Sequence, residues 1–270
     1  MADRPIGVFD SGFGGLTIVR ALIDLVPNEQ LVYFGDTARY PYGPRPGEEV
    51  AGFAKEIVDY FVQVERVKMV VVACNTAAAV ALDDLQFSYD VPIVGVIEPG
   101  LRSAAAITRN GRIGVIGTVG TVASGAYQRS TRELGIAADV HCFACPGFVE
   151  FVERGEFVSD QVHILAERLL SPLLALDVDT LLLGCTHYPF LARTIADVMG
   201  RETFLVSSAE ETAFEVGRTL ASTGLGRARS AGGLHRFLSS GDVNWFTDLG
   251  RRLLGPELSS AEHVSFQAGQ

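Results

Sequence analysis

The sequence predicts an α/β protein of two similar lobes, each a parallel sheet flanked by helices, pseudo-twofold related, with the candidate active site between them. Three observations lead there. Short apolar runs alternate with amphipathic, helix-length stretches along the chain, the pattern of parallel strands joined by helical crossovers. The order of these elements begins again near Arg112. Two of the runs also end alike: Met69-Val-Val-Val-Ala-Cys-Asn-Thr76 and Thr180-Leu-Leu-Leu-Gly-Cys-Thr-His187 each close on a small residue, a cysteine, and then amide or hydroxyl side chains.

Taken in order, Ile6 to Asp10 reads as a first strand, followed by the turn Ser-Gly-Phe-Gly-Gly15 and an amphipathic helix from about Leu16 to Val26. A glycine-rich turn opening a helix offers free backbone N–H groups to an anion. It matches neither the dinucleotide fingerprint nor the lysine-bearing phosphate loop. Gln30 to Gly35 is a second strand, leading into the polar loop Asp36-Thr-Ala-Arg-Tyr-Pro-Tyr-Gly43. A helix from about Gly47 to Arg66 precedes the Cys74 strand, and an alanine-rich helix from Ala77 to about Leu85 follows it. Pro92 to Val96 is a strand, and Glu98-Pro-Gly100 reads as a turn at the crossing between lobes.

Arg112 to Gly117 then resembles the opening strand, with Thr118-Val-Gly-Thr121 in place of the Ser-Gly turn before a helix to about Leu134. Ala138 to Phe143 is a strand, Pro146 to Glu153 a loop or short turn, and Asp160 to about Leu176 a helix. Beyond the Cys185 strand come a helix (about Phe190 to Met199), a strand (Thr203 to Val206) and a helix capped by Ser207-Ser208. After the glycine- and arginine-rich stretch beyond Leu225, strands are expected at Leu234 to Leu238 and near His263 to Phe266, with a helix near Val243 to Leu254. The lobes are expected to be 1–97 completed by 208–270, and 98–207.

The bulk numbers bound the function. The chain of 270 residues is 48% hydrophobic and 20% charged, enough to bury a full core. A net charge of −10 without any Lys or Arg run argues against direct nucleic-acid binding or an anionic membrane surface. The apolar run Met69 to Leu82 is broken by Asn75 and Thr76, too short and too polar to span a bilayer. Asp3, Arg4 and Asp10 interrupt any secretory apolar core, so a cytoplasmic setting with four reduced cysteines is expected.

Ligands of open α/β sheets bind beyond the carboxyl ends of the strands, which is where Cys74 and Cys185 fall. Two thiols there admit several readings. Both could be buried small hydrophobes. Cys142-Phe-Ala-Cys145 has the spacing of half a zinc knuckle, but no second close pair completes four ligands, and it does not open a thioredoxin-like helix. His141 and His163 fit packing or surface positions, and no metal is expected. Alternatively, two thiols can invert a stereocentre next to a carboxylate, one removing a proton from one face while the other delivers a proton to the opposite face. A pyridoxal enzyme needs a Schiff-base lysine. The only lysines, Lys55 mid-helix and Lys68 before a strand, are poorly placed, which favours chemistry without a cofactor.

Asp10-Ser-Gly-Phe-Gly-Gly15, Phe34-Gly-Asp-Thr-Ala-Arg39, Pro41-Tyr-Gly43, Ala73-Cys-Asn-Thr76, Gly95-Val-Ile-Glu-Pro-Gly100, Cys145-Pro146 and Gly184-Cys-Thr-His-Tyr-Pro189 occur in that order, and together the sequence resembles the bacterial glutamate racemases from about residue 6 to 240. The resemblance implies a racemase independent of pyridoxal phosphate that interconverts L- and D-glutamate, supplies the D isomer for peptidoglycan, and forms a homodimer. It implies Cys74 and Cys185 as the two bases, the thiol matching Cys185 taking the proton from L-glutamate. Asp10 and His187 would assist them, with Asp36 and Glu153 further out; a solvated helix end is the plain alternative for Glu153. Asp10, Ser11, Pro41, Tyr42, Gly43, Asn75, Thr76, Thr118, Thr121, Thr186 and His187 would hold the amino acid. The sequence departs from the family's pattern at Gly147, where a leucine is usual, and at Gly43-Pro-Arg-Pro46, where Gly-x-Lys-Ser is common. The nearest alternatives are an aspartate racemase of the same superfamily and a two-lobed amino-acid binding protein. An aspartyl phosphotransferase built on Asp10 is weaker, because Asp10-Ser-Gly lacks a second aspartate.

Overall fold

The computed structural model describes residues 2–228 and 233–266. Its first segment runs β1 (Ile6–Asp10), α1 (Leu16–Leu25), β2 (Leu31–Gly35), α2 (Gly47–Gln63), β3 (Met69–Val72), α3 (Asn75–Ser88) and β4 (Ile93–Gly95). The second runs α4 (Ile97–Ile107), β5 (Arg112–Gly117), α5 (Val119–Ala123), α6 (Ala126–Glu133), β6 (Asp139–Ala144), α7 (Phe148–Glu153), α8 (Asp160–Ala175), β7 (Thr180–Gly184), a single 3-10 turn (Tyr188–Leu191), α9 (Ala192–Met199) and β8 (Phe204–Val206). The chain closes with α10 (Ala209–Thr223), β9 (Arg236–Ser239), α11 (Val243–Leu254) and β10 (Glu262–His263).

Two parallel sheets result, one ordered β10-β9-β2-β1-β3-β4 and the other β6-β5-β7-β8. The order β2-β1-β3-β4 is repeated by β6-β5-β7-β8, so β3 and β7 are equivalent strands. β1, β2, β3 and β7 are buried along their whole length, as strands covered by helices on both faces must be. In each sheet the chain leaves the central strand on one side and returns on the other. That reversal opens a crevice at the carboxyl ends of β1 and β3, and of β5 and β7.

Several elements depart from the sequence expectation, each for a physical reason. Glu98-Pro-Gly100 is not a turn but the first turn of α4. Proline is tolerated there because the first N–H groups of a helix have no intrahelical partner. The expected helix to Leu134 is two helices, divided at Ser124-Gly125, where Gly125 takes φ +68°. Pro146 to Glu153 is not all loop: Phe148 and Val152, four residues apart, bury one face of α7. The last strand, expected near His263 to Phe266, is the two-residue Glu262–His263. Part of the stretch beyond Leu225, residues 229–232, lies outside the described residues.

Lys68 ties the N-terminal segment and the stretch after α10 to the first sheet. Its buried ammonium donates to Glu29, to the Ala2 carbonyl at 2.7 Å and to the Leu225 carbonyl at 2.8 Å, while Glu29 also accepts from the Arg227 N–H at 2.8 Å.

Candidate active site

Asp10 ends β1 fully buried. One carboxylate oxygen accepts from the Gly12 N–H at 2.9 Å, shaping the turn, and the other accepts from the Thr186 hydroxyl at 3.0 Å, reaching across to the residues after β7. The close approach depends on Gly14. A methyl group there would stand 2.3 Å from Thr186 Oγ1 and 2.5 Å from His187 Nδ1.

Cys74 follows β3 and occupies the N-cap of α3; Cys185 follows β7. Both thiols are buried and line one cavity of ≈ 90 Å³ together with Ser11, Pro41, Tyr42, Gly43, Asn75, Thr76, Thr118, Thr186 and His187. Their surroundings differ. Cys74 Sγ lies 4.0 Å from Ser11 Oγ, and burial pushes its thiol up to about 12, with the Asp10 carboxylate adding to the effect. Cys185 Sγ lies 3.9 Å from His187 Nδ1, and His187 Nε2 lies 2.6 Å from Glu153 Oε1. Burial opposes charge on that imidazole, but the contacts with Cys185 and Glu153 outweigh it and hold His187 well above its ordinary value. Glu153 is therefore paired rather than solvated.

The far wall is built from hydroxyls and helix starts. Thr118 caps α5 by accepting from the Thr121 N–H at 3.1 Å. Thr118 Oγ1 lies 2.9 Å from both Thr76 Oγ1 and Thr121 Oγ1, and Thr76 lies 3.2 Å from Thr121. Asn75 opens α3 and donates from Nδ2 to the Tyr127 hydroxyl at 2.9 Å. Its Oδ1 is buried with no hydrogen-bond partner among the described residues. The lining includes no Lys or Arg. An anion here would be met by N–H groups, hydroxyls and the positive end of α3.

Four residues expected at the site stand behind the lining instead. Asp10, Thr121 and Glu153 touch it through Thr186, Thr118 and His187. Asp36 accepts from the Tyr42 hydroxyl, from Arg39 Nε at 2.7 Å and from Ser240 Oγ at 2.6 Å. The sequence reading assigned no role to Cys145, Val149, Glu150 or Tyr188, all of which line the cavity. Tyr188 was flagged only by its place next to His187, and Cys145 by its place before Pro146 and its spacing from Cys142. Val149 and Glu150 lie in the stretch expected as loop. Among the described residues, no group of three or more His, Cys, Asp or Glu side chains is placed to hold a metal ion. No helix among the described residues is long and apolar enough to cross a membrane.

The sequence profile of the Asp/Glu/Hydantoin racemase family matches residues 6–213. A glutamate racemase from Acidothermus cellulolyticus is 50% identical over 259 residues, covering 96% of this chain and 98% of that one. The crystal structure of glutamate racemase isoform RacE1 from Bacillus anthracis superposes with a TM-score of 0.92 at 41% identity, covering 99% of each chain. That of the glutamate racemase from Francisella tularensis in complex with D-glutamate superposes with a TM-score of 0.91 at 32% identity, covering 98% of each. With paired thiols at equivalent strand ends and likeness over nearly its whole length, the chain belongs to the glutamate racemases of the Asp/Glu/Hydantoin racemase family.

Proposed function

We propose that Cys74 and Cys185 interconvert L- and D-glutamate by proton transfer from opposite faces of the α-carbon. The observation that carries this is the pair of thiols at equivalent strand ends, lining one cavity with unlike partners. From L-glutamate, the Cys185 thiolate takes the α-proton and the Cys74 thiol delivers its own to the other face. The products are D-glutamate, a Cys185 thiol and a Cys74 thiolate; the reverse reaction restores the start. A thiolate at Cys185 has the His187 imidazolium beside it, whereas Cys74 is kept protonated by burial and by Asp10. Charge developing on the α-carboxylate is met by the N-terminus of α3 and by the hydroxyls of Thr76 and Thr118, with Thr121 supporting them. Ser11, Pro41, Tyr42, Gly43, Asn75 and Thr186 complete the binding surface. The lobes that close on it are 1–97 with 208–270, and 98–207.

The reading extends to a cytoplasmic homodimer that supplies D-glutamate for peptidoglycan. The test is incubation with L-glutamate in heavy water under reducing conditions, following optical rotation and α-deuterium together. Rotation should decay as deuterium appears in the D isomer, and Cys74→Ala and Cys185→Ala should each lower turnover by about 10³-fold or more. Substantial turnover by either variant would remove the two-thiol assignment. Faster exchange with aspartate than with glutamate would move the chain's substrate to the shorter dicarboxylate.

A further inference from the structure

We infer that Arg39 is a positioning residue for the substrate, clamped by an aromatic ring of the C-terminal segment and acting through Asp36 on Tyr42 and Gly43. The inference rests on the reading that glutamate occupies the cavity these two residues line. Arg39 lies between two rings, with its guanidinium carbon 4.2 Å from the centre of Phe53 on α2 and 5.0 Å from that of Phe266. Its Nε donates to Asp36 at 2.7 Å and Nη1 donates to Glu56. Asp36 is fully buried, and its carboxylate oxygens are held by the donors around it. These are Arg39, the Ser240 hydroxyl at 2.6 Å and the Tyr42 hydroxyl.

The phenol of Tyr42 is thus spent on Asp36, and burial with the adjoining carboxylate keeps it protonated. The loop Tyr42-Gly43 therefore meets the cavity with its place set from behind. It also receives α5, since the Gly43 carbonyl accepts from the Gly120 N–H at 2.8 Å. Phe266 packs on Phe34 and Tyr60, with ring centres 5.3 and 6.0 Å apart, and the Val264 N–H bonds to the Ser239 carbonyl at 3.0 Å. Ser240 follows β9. Two of the groups that fix Asp36, the Ser240 donor directly and Phe266 through Arg39, come from chain that does not line the cavity.

Full-length Phe266→Ala, Phe266→Tyr and Arg39→Gln would be assayed with L-glutamate beside the wild type and Cys74→Ala. Loosening the loop removes interactions felt equally by bound substrate and transition state, so KM should rise while kcat holds. Phe266→Ala should raise KM by about three- to tenfold with kcat within about twofold, Arg39→Gln by more, and Phe266→Tyr should match the wild type. A fall in kcat at unchanged KM, as from a merely less stable protein, would overturn the inference, and so would no change in either. Turnover that survives Cys74→Ala would instead remove the reading of the cavity, and this inference with it.

Discussion

His187 has unlike neighbours at its two ring nitrogens, a thiol sulfur at 3.9 Å and a carboxylate oxygen at 2.6 Å. Because the folded protein holds it well above the ordinary 6.5, its charge is a stability term. The sign follows from a raised value. The contribution is fully present below the unfolded imidazole's value and is lost as pH rises through the folded one. Urea melts of wild type and His187→Gln should therefore differ most near pH 6 and converge toward alkaline pH; a gap that widens with pH would contradict the charged imidazole. The cysteines were legible from sequence because a strand end is a local feature, marked by an apolar run that stops. The pairings His187 with Glu153 and Asn75 with Tyr127 were not, because each joins residues that only the folded chain brings together.

Among the elements, the strands could be read because strands covered on both faces must be continuous apolar runs. The first turn of α4 could not, since Glu-Pro-Gly suits a turn and a helix start equally. What sequence left silent is how the chain's late elements attach to the first sheet. Lys68, at the end of the crossover into β3, ties down the stretch after α10 by holding Glu29 and the carbonyls of Ala2 and Leu225. Replacing it with methionine would leave the Glu29 carboxylate buried without its cation. The expected loss is about 3–5 kcal/mol, read from the denaturation midpoint. A change below about 1 kcal/mol, the scale of a surface pair, would show that Glu29 is relieved by other donors.

At the scale of the whole molecule, the proposed two-thiol reaction needs the residues after β3 and those after β7 to keep lining one cavity. A close approach lies at Gly14, where Thr186 and His187 occupy the space a side chain would need. Gly14→Ala should leave far-ultraviolet circular dichroism unchanged but lower kcat/KM by about 10²-fold, the cost of an ångström-scale misplacement of reacting groups. Activity near the wild type's would mean that this contact tolerates a wider gap. The unlike settings of Cys74 and Cys185 carry a further consequence. L- and D-glutamate are mirror images with equal free energy in water, so detailed balance forces kcat/KM to be the same in both directions. The lopsided pair of thiols therefore cannot favour one isomer at equilibrium. It can show itself only as matched differences in kcat and KM, the enantiomer with the lower KM being turned over more slowly by the same factor.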